Sequence, residues 1–252
     1  MGRRGFGRAF GGLLRGLMLG GAAALLSGCG SWFWAGSPTY RFQMTVEVET
    51  PDGLKTGSSV YEVKTFGTKN LITGGTGSGA RLRGEAVAVD LPGGKNIFAL
   101  LQMARRTSSD DDLGMMSLRA LDPAFNRNTV ESAKRIVSRE GIRSPAIVAP
   151  EDYPMLVTFT DIADPKSVAR VEPDNLTAAF GPGVRLKRIT VQVTDDEVTK
   201  GIEKRLPYAF WNRWGLMHKE AMNSSGGVMK NTYFSTLAGE LKKDDFVTGI
   251  SE

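Results

Sequence analysis

The sequence predicts an antiparallel α+β fold, mainly β-hairpins with a few short helices, in a single domain over residues 40–252. Three observations predict it. Strand-like segments come in pairs separated by turn residues. Helical patterns are too few to alternate with them as a doubly wound sheet requires. No repeat of fixed period runs through the chain.

The first strand is read from YRFQMTVEVET, where Phe42, Met44, Val46 and Val48 alternate with polar residues. PDG at 51–53 supplies turn chemistry, and SSVYEVKTF offers the returning strand. GEAVAVDL, PGGK and NIFALLQ form a second predicted hairpin. TGGTGSGARL lies between the two hairpins. It lacks the Gly-Lys-Ser/Thr of a phosphate-binding loop and precedes strand-like sequence, so it is expected to be a hairpin loop.

The middle of the chain is more helical. SSDDDLGMMSLRALDPAF is expected to be a solvated loop with a short helix, and its aspartates lack the alternating spacing of a calcium loop. NTVESAKRIVSREG predicts a helix capped by Asn128, with Glu131 in the capping-box position and Gly141 ending it. YPMLVTFTDI reads as a buried strand, and the stretch from Asp164 to Gly183 as turns with a short helix ending at Gly181. VRLKRITVQVT is a strand with Ile189, Val191 and Val193 inward. DDEVTKGIEKRLP is then a brief helix stopped by Pro207, and NTYFSTLAGEL is a candidate strand.

Charge is concentrated before the domain. The net charge is +5, but four of the 32 basic residues and none of the 27 acidic ones precede Cys29, leaving a balance of +1. Those four are Arg3, Arg4, Arg8 and Arg15, so the excess belongs to a targeting segment and no nucleic-acid partner is expected. Residues 1–28 read as a signal peptide, with the apolar run GLMLGGAAALLS at 16–27. Twelve helical residues rise only about 18 Å, short of a hydrocarbon core of about 30 Å.

At the end of that run, Leu26-Ser27-Gly28-Cys29 resembles the lipobox of bacterial lipoproteins. The resemblance implies cleavage between Gly28 and Cys29, a diacylglyceryl thioether on the Cys29 sulfur, and acylation of its new amino group. It therefore implies a membrane contact through lipidated Cys29. Gly30, rather than aspartate, follows the cysteine, which by the same resemblance favours the outer membrane facing the periplasm. Arg3 and Arg4, followed by Gly5, Phe6 and Arg8, resemble a twin-arginine export signal; an ordinary secretory n-region fits them as well. Residues 29–39 read as a tether, with Trp32, Phe33 and Trp34 suited either to the bilayer interface or to docking on the domain. The stretches RGEAVAVDLPGG, YPMLVTFTDIADPKSV and FGPGVRLKRITVQVTDDEVTKGIEKRLP resemble a group of bacterial envelope proteins that carries no assigned activity.

The inventory for catalysis is thin. With Cys29 acylated, His218 is the one residue left from the Cys/His set, which leaves no intrachain Cys/His zinc site and no disulfide. A Ser-His-Asp triad would have to use His218, and no Gly-x-Ser-x-Gly or Ser-x-x-Lys motif accompanies it. His218 is expected to be exposed. No catalytic residue, metal or cofactor is assigned. Two roles stay open: a non-catalytic envelope protein that binds another envelope component, and a periplasmic hydrolase using carboxylates such as Asp195 and Asp196. For a partner contact, the candidates are Trp211, Arg213 and Trp214, in an aromatic cluster with Tyr208 and Phe210 just after Pro207. Burial of that cluster in the core is the competing expectation.

Overall fold

A computed structural model describes residues 37–69, 75–105, 113–138, 144–224 and 232–249. Cys29, Arg3, Arg4, the lipobox and most of the tether lie outside the described residues. The compact unit runs from Ser37 to Glu252. Its organising element is β1 (Thr39–Thr50), whose alternation holds in space: Phe42, Met44, Val46 and Val48 are fully buried on one face. β1 pairs with β2 (Gly53–Lys69) on one side and with β9 (Arg185–Val193) on the other.

The fold class is α+β, with two antiparallel sheets and a few helices. The first sheet has the order β10-β3-β2-β1-β9-β6, where β3 is Thr76–Glu85, β6 Ala146–Ile147 and β10 Val247–Thr248. The second has the order β4-β5-β7-β8, from Val87–Asp90, Asn96–Met103, Pro154–Phe159 and Val168–Val171. One core lies between the sheets, closed by α1 (Leu113–Leu121) and α2 (Thr129–Ser138). A second core lies on the far face of the smaller sheet, under α4 (Tyr208–Asn223) and α5 (Leu237–Glu240). α3 (Leu176–Phe180) is a short helix ended by Gly181. β5 and β7 are buried on both faces, which explains why NIFALLQM and PMLVTF read as unbroken apolar runs.

Local signals place several of these elements. The Asn128 Oδ1 accepts the Glu131 backbone N–H at 3.1 Å, the cap expected for α2. From Thr76 onward the glycine-rich stretch expected to be a loop is instead strand β3, paired with β2 from Glu62 to Lys69, while residues 73–74 lie outside the described residues. Its glycines make room for neighbours: a Cβ on Gly79 would lie 2.6 Å from the Phe66 ring. Three further expectations are corrected. The turn-rich stretch after Asp164 contains strand β8, the segment before Pro207 is one short 3-10 turn at Ile202–Lys204, and the tail forms helix α5 at Leu237–Glu240 where a strand was expected.

The sheets approach closely at Gly57, where a Cβ would fall 2.2 Å from the Ala88 carbonyl oxygen of β4. Backbone cannot rotate out of the way as a side-chain tip can. Gly57→Ala is therefore expected to cost about 1–3 kcal/mol through overpacking. Urea unfolding that leaves the midpoint unchanged would contradict this close approach.

Candidate functional site

After β9 the chain crosses the outer face of the larger sheet and then enters α4. The Arg41 guanidinium donates to the carbonyls of Asp195 and Asp196 at 3.0 and 2.8 Å. Thr199 bridges the Val60 backbone: its N–H donates to the Val60 carbonyl and its Oγ1 accepts the Val60 N–H. Glu85, buried at the end of β3, accepts the Gly201 and Ile202 amides at 2.9 and 3.0 Å. Burial pushes the Glu85 carboxyl above its ordinary range, and the two amides offset only part of that shift. These contacts fix where α4 starts, with Pro207 as its N-cap residue.

Along α4, spacing decides which aromatic is buried. Phe210 and Trp214 stand four residues apart on the inward face, each 3% exposed. Tyr208, on the first turn, is 78% exposed. Trp211 is half-buried and stacks on Trp214, with ring centroids 5.9 Å apart and planes 7° from parallel. The Trp214 indole N–H donates to the Ala238 carbonyl at 2.8 Å. Arg213 is exposed and reaches the Ala163 carbonyl at 3.4 Å. Of the three candidate contact residues, Trp214 thus lies in the second core, while Trp211 and Arg213 keep accessible surface.

His218 was expected to be exposed, and it is not. It sits one turn beyond Trp214, half-buried, with its ring edge-on to Tyr233 and Phe234. Its Nδ1 lies 3.1 Å from the Trp214 carbonyl and 3.2 Å from the Tyr233 hydroxyl. Burial raises the Tyr233 pKa, so that hydroxyl stays protonated at neutral pH. It also donates to the Ala238 carbonyl at 3.3 Å. These bonds fasten α4 to α5.

Between α4, β8 and α5 lies a cleft of about 530 Å³. Among the described residues, Val168, Met217, Tyr233 and Leu237 give it an apolar lining, with Lys166 and Glu220 as its charged groups. Its size falls in the range of about 300–1,000 Å³ typical of small-ligand sites. None of these lining residues was singled out in the sequence, because they come from separate segments with no shared motif. Elsewhere, the buried carboxylates serve structure. Glu47 pairs with Arg188 at 2.8 Å and Lys187 at 3.5 Å, and Asp122 pairs with Arg135 at 2.7 Å. Asp196 accepts from the Thr194 hydroxyl at 2.8 Å. Among the described residues, no three His, Cys, Asp or Glu side chains gather as a metal site, and no helix is long and apolar enough to cross a membrane.

No family model, curated protein or solved structure shows significant similarity to this chain.

Proposed function

We propose that this chain is a lipid-anchored protein of the bacterial cell envelope, held at the periplasmic face of the outer membrane through Cys29. Its domain binds or supports another envelope component and does not catalyse a reaction. The reading is carried by Leu26-Ser27-Gly28-Cys29, which follows a charged and then an apolar segment and stands eight residues before Ser37, where the compact unit begins. The second core and its cleft supply the binding surface. The hydrolase reading calls for converging, free carboxylates, whereas Glu47, Glu85 and Asp122 are each engaged by cations or backbone amides.

Thioether chemistry tests the anchor directly. A serine hydroxyl cannot replace the Cys29 sulfur, so Cys29→Ser is expected to yield unprocessed or soluble protein without the added acyl mass. Each buried methylene contributes about 0.8 kcal/mol, so several acyl chains hold the native protein on the membrane essentially permanently. Mass spectrometry and membrane fractionation should separate the two forms. A mutant identical to the native chain in both would overturn the lipoprotein reading.

A further inference from the structure

The near-neutral balance of the domain conceals a basic platform on the outer face of the larger sheet. Register places it there. Arg41 pairs with Glu62 and Glu62 with Arg83, forming one row across β1, β2 and β3. The next row is Thr39, Lys64 and Arg81. Side chains two residues apart share a face of a sheet, so Glu62, Lys64 and Phe66 project together from β2, and Arg81 and Arg83 from β3. The contacts agree. Glu62 lies between Arg41 and Arg83, at 3.7 and 3.6 Å, and the Arg81 guanidinium sits over the Phe66 ring, 5.3 Å from its centroid. Lys64 and Arg81 are exposed, and neither has an acidic partner among the described residues. Near the start of β1, Arg41, Lys64, Arg81 and Arg83 thus share one face with Glu62 and the half-buried Phe66 ring; Arg41 also holds the Asp195 and Asp196 carbonyls, while Glu47 and Glu49, farther along β1 on this face, are paired with Arg188, Lys187 and Arg185.

We propose that this platform rests on the anionic headgroups of the phospholipid bilayer that holds the anchor. The inference builds on the lipid-anchor reading of Cys29. It is argued from where the chain enters the sheet: Thr39, the first residue of β1, is in register with Lys64 and Arg81. With neighbouring strands about 4.8 Å apart, both cations stand within roughly 10 Å of Thr39. Thr39 is ten residues from Cys29, a length that spans at most about 36 Å when fully extended. The anchor therefore keeps the platform close to headgroup phosphates. Lysine and arginine are drawn to such a surface, and a partly exposed aromatic ring suits its interface. The acyl chains hold the protein on the membrane, and the platform sets which face of the domain lies down on it.

The test uses the full chain, processed, lipidated and reconstituted into vesicles. Cys29 is the one native cysteine and, in the lipidated chain, its sulfur is blocked as the diacylglyceryl thioether, so Thr68→Cys on the same face of β2 can carry a fluorescent label alone. In phosphatidylcholine vesicles containing roughly one-third phosphatidylglycerol, the label should be quenched by headgroup spin-labelled lipid. Salt near about 1 M, where the screening length falls to about 3 Å, should abolish the quenching. Lys64→Gln with Arg81→Gln should lower the docked-to-undocked ratio on the order of 30-fold while vesicle retention and melting stay unchanged. Equal quenching in pure phosphatidylcholine, or in the double variant, overturns the platform alone. Tighter binding of the face to a short DNA duplex than to these vesicles also overturns it. A native chain that fails to remain with vesicles overturns the anchor and the platform together.

Discussion

Replacing Trp214 with alanine is expected to lower the stability of the domain by about 3–5 kcal/mol, the largest loss from any single side chain of the second core. Trp214 joins α4 to β7, to Phe246 and to α5. Its ring stands edge-on to Phe210 at 5.3 Å and Phe246 at 5.6 Å, contacts Phe159 of β7 at 6.3 Å, and stacks on Trp211. Truncation would leave a cavity walled by these rings, and edge-to-face pairs contribute beyond their buried area. It would also strip the Ala238 carbonyl of the indole N–H donor at 2.8 Å, loosening α5 from α4. Trp211→Ala, at a half-buried position, should cost clearly less. Circular dichroism of urea unfolding can order the two variants. If Trp211→Ala proves as damaging as Trp214→Ala, or if Trp214→Ala leaves the midpoint in place, the packing described for this core is wrong.

That aromatic segment also shows what was legible in the sequence and what was not. The crowding of Tyr208, Phe210, Trp211 and Trp214 within seven residues left burial in the core and a partner contact both open, although one helix would struggle to bury all four; α4 buries two, half-covers one and exposes one. Strands with one solvated face, such as β1, could be read from period-two alternation. β3 could not, because TGSGARLRGE lacks apolar alternation and its glycines act by making space for Phe66 and Thr68 on the neighbouring strand. β8 was hidden for a related reason: VARV is only four residues long and sits among Pro, Asp and Asn, whose local signal is a turn. The basic platform was invisible to any count of charge. Arg41, Lys64, Arg81 and Arg83 lie on three strands, and only the pairing register gathers them, while acidic residues elsewhere cancel their sum. The cleft beside α4 has the same character. Its lining comes from β8, α4 and α5, which meet only in the folded chain.

Asp122 should be the second most sensitive position, through charge rather than volume. It directly follows α1, its side chain is fully buried, and it accepts hydrogen bonds from the Ser132 hydroxyl at 2.7 Å and from Arg135 at 2.7 and 3.0 Å. The Ala124 amide adds a fourth contact at 3.3 Å. The carboxylate thus ties α1 to α2. Asp122→Ala would leave the buried Ser132 hydroxyl without this acceptor and Arg135 without its counter-ion, at a cost of about 3 kcal/mol, the low end for a broken buried pair because Arg135 is partly solvated. Burial alone would raise the Asp122 pKa, but its bonds to Arg135 and Ser132 outweigh burial and hold it below the ordinary aspartate value. The sign of the linkage follows. The stabilisation is present above the unfolded-state pKa of about 3.9 and is lost as pH falls through the lower, folded-state value. Glu85, whose pKa is raised, works in the opposite sense: its contribution is present at low pH and fades as pH rises through its folded-state value. The difference between native protein and Asp122→Asn therefore isolates the clamp, since Glu85 is common to both. That difference should be constant near neutral pH and shrink below about pH 4. A difference in unfolding free energy that grows on acidification would mean that Asp122 is not held as the buried anion of this clamp.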